Sequence, residues 1–102
     1  RAVHLDLPRN PAKYIQSGAV ADETGSLFAV VQNNTGVPVG RVQVRVVKYD
    51  AQTGRAVAQS APMLINGVAP GKRNQIAIGT KVATAQEVQL YKVVVEAAEL
   101  AQ

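Results

Sequence analysis

The chain has 102 residues, 47% of them hydrophobic, with no cysteine, a single histidine and a formal charge of +4. This length favours one domain that hides about 65% of its unfolded surface, and the composition is that of a globule rather than a disordered segment. The missing cysteines exclude disulfides, thiol nucleophiles and cysteine-held metals, and no run approaches the ~18 apolar residues of a membrane span.

The first residue is Arg1, not methionine, so the sequence is expected to be a processed or excised fragment. Val3, Leu5 and Leu7 share one parity and His4 and Asp6 the other, before Pro8 and Pro11 interrupt. Two readings stand: a short strand, or an extended N-terminal segment or linker over 1–13. The single domain is then expected over 14–102. Tyr14 to Asp22 reads as a strand weakened by Gly18, and the "DETG" cluster at 22–25 as a turn. Ser26 to Asn33 is nearly all apolar, which suits a strand covered on both faces or placed centrally in a sheet. The punctuated "NNTGVPVG" must be a loop.

Arg41 to Tyr49 is the clearest strand. Val42, Val44 and Val46 point one way, and Arg41, Gln43 and Arg45 the other. A period of two cannot persist on a helix. The alternation slips after Val46, which predicts a bulge or partial cover on both faces. Asp50 and Gly54 fit a short hairpin loop. The returning strand is interrupted by Pro62, which cannot donate to a ladder, so it lies at an edge or is bulged there. Pro70 and Gly71 form a tight turn, Ile76 and Ile78 mark a short strand over 75–79, and Thr84 with Glu87 forms a capping-box pattern for a short helix near 84–89. Tyr91, Val93, Val95 and Ala97 align on a closing strand. The fold predicted is all-β: an antiparallel immunoglobulin-like β-sandwich of six or seven strands.

Chemistry is scarce in this pattern. His4 lacks the partners that a zinc site or a serine triad needs. The seven acids, Asp6, Asp22, Glu23, Asp50, Glu87, Glu96 and Glu99, offer no obvious pair for acid–base work, and several read as turn or cap residues. No phosphate-binding loop or dinucleotide fingerprint is present. "NNT" at 33–35 matches a glycosylation sequon, but Asn33 and Asn34 read as turn residues. We therefore expect no catalytic, cofactor-binding or metal-binding residue and no cofactor.

The run from Val30 to Gly79 resembles FxLYD-type, immunoglobulin-like domains of bacterial envelope proteins, with Asn33, Tyr49, Asp50, Gly54, Pro70 and Gly71 in the places that pattern uses. Lys48 departs from it, since the pattern has leucine there. "NPAKYI" and "QLYKVVVEAAEL" are similar to the C-terminal accessory region of periplasmic, repeat-containing metalloproteases, although the HExxH site of such enzymes is absent. The resemblance implies a periplasmic or secreted location. It also implies a non-catalytic accessory or protein-binding module of a larger exported bacterial protein, whose partner is another protein or a neighbouring domain of the same chain. The alternative is a basic surface that binds nucleic acid or anionic lipid through Arg41, Arg45, Lys72 and Arg73. The basic residues are too scattered, and the aromatics too few, to favour it, and membrane insertion is not expected.

Overall fold

A computed structural model describes residues 6–101. Its architecture is two antiparallel sheets facing each other, the sandwich that the alternating valines predicted. After a four-residue helix α1 (Pro11–Tyr14) come β1 (Ile15–Ala21), β2 (Ser26–Asn33), β3 (Val39–Tyr49), β4 (Ala56–Gln59), β5 (Met63–Val68) and β6 (Arg73–Lys81). A second short helix α2 (Ala85–Val88) precedes β7 (Tyr91–Leu100). One sheet runs β1-β2-β6. In the other, β3 pairs with β7 along one side, while β5 and β4 share its other side.

Several predicted features have a physical counterpart. The apolar run of β2 is central in its sheet, and it buries every second residue because only one face meets the other layer. Val42, Val44 and Val46 of β3 are buried and pack with Val31, Ile65, Val68 and Val95 into one core. The ladder slips between Lys48 and Tyr49 against β4, as the broken alternation predicts, and also between Gln43 and Val44 against β7. Pro62 falls between β4 and β5, splitting one edge strand in two. Ser60 bridges that break: its N–H donates to the Val46 carbonyl at 2.8 Å, and its hydroxyl accepts the Val46 N–H at 2.9 Å. The expected helix is α2; Thr84 caps it through the Glu87 N–H, and Glu87 returns a carboxylate to the Ala83 N–H.

Three details depart from the expected pattern. Ala97 was aligned with the inward residues of β7, yet it is exposed and Ala98 is buried, because the register shift beside Glu96 reverses parity. β6 is longer than the expected 75–79 strand, since Arg73 and Asn74 already pair with β2. Helix α1 was not expected; its signal is Pro11 at the first helical position, where the absent N–H costs nothing. Leu7, just before it, is fully buried in the core, but it sits in a turn rather than a strand. Val3, His4 and Leu5 lie outside the described residues.

Asn33 ties the two layers together. It is fully buried, and its side chain makes four hydrogen bonds. Nδ2 donates to the carbonyls of Val37 (2.8 Å) and Val68 (2.9 Å). Oδ1 accepts from the Thr35 N–H (2.8 Å) and the Thr35 hydroxyl (2.6 Å). Its backbone N–H donates to Lys72, and its carbonyl accepts from the N–H of Gly71, in the Pro70–Gly71 turn. One residue thus fixes the loop after β2, the end of β5 and the start of β6. The asparagine of the formal sequon is inaccessible in the folded chain.

Candidate functional site

Five acidic side chains, Asp6, Asp22, Asp50, Glu87 and Glu96, are held in structural contacts. Asp22 accepts from the N–H and hydroxyl of Thr24 and from the N–H of Ser26, closing the β1–β2 turn; the Thr24 hydrogen bond is the main cause holding its carboxyl below the usual range. Asp50 accepts from the Gln52 N–H and the Thr53 hydroxyl in the β3–β4 turn. Glu87 serves the cap of α2. Sequence reasoning did not find the pairing of Glu96, because its partner lies on the neighbouring strand β3, 51 residues away in the chain. Arg45 Nε donates to Glu96 at 2.9 Å, Gln43 adds a second donor, and the arginine also donates to the Ser60 carbonyl. Arg45 is the first cause of the lowered Glu96 pKa.

Asp6 was also missed as an organising group. Tyr14 donates its hydroxyl to Asp6 at 2.8 Å, Lys13 lies at 3.2 Å, and Asn10 donates to the other carboxylate oxygen. These contacts, with the Tyr14 hydrogen bond first, hold the Asp6 carboxyl below its usual range. The same hydrogen bond pushes Tyr14 up, and Asp6 pushes Lys13 up. The cluster is solvent-facing, and it fastens the segment before β1 to α1.

The four cations of the alternative reading are not gathered into one patch. Arg41 and Arg45 lie on the outer face of the β3 sheet, where Arg45 is committed to Glu96 and Arg41 stands opposite Glu99 on β7. Lys72 and Arg73 lie at the Pro–Gly turn that starts β6, in the other sheet. Lys48, the departure from the resembled pattern, is exposed, with its ammonium 5.7 Å from the centroid of the Tyr91 ring. Among the described residues, no three His, Asp or Glu side chains come together as a metal site, and no helix is long and apolar enough to cross a membrane.

What remains open is a seam. Where β4 and β6 flank the gap between the sheets, a cavity of about 250 Å³ is lined by Val46, Lys48, Ser60, Ile78, Thr80 and Tyr91. Val46, Ile78 and Tyr91 give it apolar walls, Lys48 is its only charged lining residue among the described residues, and it opens beside two strand edges that pair on one side only. A larger cleft of about 540 Å³ lies between the β1–β2 turn and α2, lined by Asp22 and Thr84 among others. Comparison with protein-family profiles, curated proteins and solved structures returns no match for the chain.

Proposed function

We propose that the chain is a non-catalytic β-sandwich module that binds a protein partner or positions a neighbouring domain, within a larger exported bacterial protein. The observation that carries this reading is the use of its polar chemistry. Asp6, Asp22, Asp50, Glu87 and Glu96 all hold turns, caps or cross-strand pairs. What the molecule offers instead is backbone at its sheet edges, which adds a partner strand through main-chain hydrogen bonds. The FxLYD-type resemblance between Val30 and Gly79, with a periplasmic or secreted location, agrees with such a role.

The test is site-specific photo-crosslinking in the cell that makes the protein, with the reactive side chain placed in turn at Val57, Leu64, Ala77 and Val94, all exposed. The expected result is a discrete protein adduct or a crosslink within the parent chain. If no position yields one, and the purified chain instead binds duplex DNA or anionic vesicles with affinity that collapses as salt rises, the basic-surface alternative replaces this reading.

A further inference from the structure

We infer that the free edge of β6 is the docking site, and that its occupant is an extended acidic segment of a partner protein added as a fourth strand beside β1-β2-β6. This rests on the protein-binding reading above and names its site and the chemistry of its partner.

The backbone argument comes first. Asn33 of β2 exchanges hydrogen bonds with Lys72 and Gly71, just ahead of β6. Antiparallel alternation then turns Asn74 and Ile76 toward β2, and Gln75 and Ala77 away from it. The outward N–H of Gln75 is met by the Asn74 side chain at 2.8 Å, and Asn74 Nδ2 ties this end of β6 to the carbonyls of Asn66 and Gly67 on β5. The two sheets are thus stitched at the top of the seam. Below that stitch, among the described residues, no strand pairs with the outward side of Ala77.

The edges differ in how they are protected. The β4–β5 edge is broken at Pro62. The outward side of β7 is partly occupied by β1, where the Ser17 hydroxyl donates to the Val93 carbonyl at 2.9 Å. Around Ala77 no such device intervenes until Gly79, whose φ of +86° bends the strand.

Side-chain chemistry then selects the occupant. An added strand places alternate residues toward the cavity, where Val46, Ile78 and Tyr91 accept an apolar side chain. The charged groups nearest it are cations: Lys48 lines the cavity and Lys72 is exposed at the head of the edge, while Arg73 turns the other way, over β2, where it donates to Gln32. Neither Lys48 nor Lys72 has an ion-pair partner among the described residues. Lys81 lies at the far end of the strand. A second copy fits poorly, because antiparallel pairing about Ala77 sets Arg73 of one copy against Lys81 of the other. A strand alternating apolar residues with Asp or Glu satisfies both the apolar walls and the two lysines.

The experiment pans a phage library of random dodecapeptides against the intact chain. The expected result is enrichment of peptides in which apolar residues alternate with Asp or Glu. Their binding should weaken about tenfold or more in Ala77→Pro, which removes an outward N–H, and by a comparable factor in Lys48→Glu. If Ala77→Pro does not fold, Lys48→Glu, a change at an exposed side chain, decides alone. Absence of enrichment, or enriched peptides without acidic residues, overturns the inference. So do peptides that bind the variants as well as the parent; in that last case protein binding stands and only its location is wrong. The crosslinking pattern tests the broader reading independently.

Discussion

At the scale of single residues, Asn33 carries more of the fold than any charged group. Asn33→Asp keeps its shape but turns two donors into acceptors aimed at the Val37 and Val68 carbonyls, inside a site with no solvent. We predict a loss of roughly 3 kcal/mol or more in urea unfolding, from buried groups left unpaired; a loss below about 1 kcal/mol would show that the loop is fixed by other contacts. Gly54 makes a contrasting case. Its φ is +72°, but a Cβ there would meet nothing within 4 Å. Gly54→Val should therefore lose about 1–2 kcal/mol from backbone strain alone, and Gly54→Asn, which tolerates this region, should lose less. Equal losses in the two variants would point to packing instead. Neither position was equally visible in the sequence. Gly54 follows Asp50 in a recognisable turn, whereas the side-chain partner Val68 of Asn33 stands 35 residues away and its backbone partner Lys72 farther still, beyond the reach of any local signal.

At the scale of elements, β3 was the most legible, because strict alternation leaves a strand no choice of face. Val44 is buried, while Val47 faces outward and is half-covered. Val44→Asp should cost roughly 4 kcal/mol or prevent folding, and Val47→Asp less than about 1 kcal/mol, read from thermal unfolding. Similar losses at both would mean that the sheet is covered on both faces. Pro62 likewise announced the break between β4 and β5. The bulge in β7 was hidden, since "VVVEAA" reads equally well in either parity and only pairing with β3 reveals the slip at Glu96. The inserted burial of Leu7 and the Asp6–Tyr14 contact were also illegible, because both depend on where the chain before β1 lies against the sandwich. The β6 edge was invisible for a related reason: strand order, not strand identity, makes an edge.

For the whole molecule, the charge arrangement sets the pH response. Asp6, Asp22 and Glu96 are all held below their ordinary values of 3.8, 3.8 and 4.5. A lowered carboxyl stabilises the fold above its unfolded pKa, and that contribution is lost as the pH falls through its folded pKa. The melting temperature should therefore drop between about pH 5 and about pH 2, and the drop should be smaller in Asp6→Asn than in the parent. An acid-insensitive melting temperature would contradict these contacts in solution. Lys13 and Tyr14 act in the opposite direction: both are raised by Asp6, so their contribution is present at neutral pH and fades above about pH 10.

The same molecule-wide view joins the closed core to the open edge, and amide hydrogen exchange reads both at once. The account predicts that the β3 amides of Val42 to Val46 exchange only on global unfolding, and that Ile76, facing β2, is strongly protected, while its neighbour Ala77 exchanges orders of magnitude faster because its N–H faces solvent. Equal protection at Ala77 and Ile76 would mean that the β6 edge is already covered. Fast exchange along β3 would remove the sandwich on which the whole reading is built.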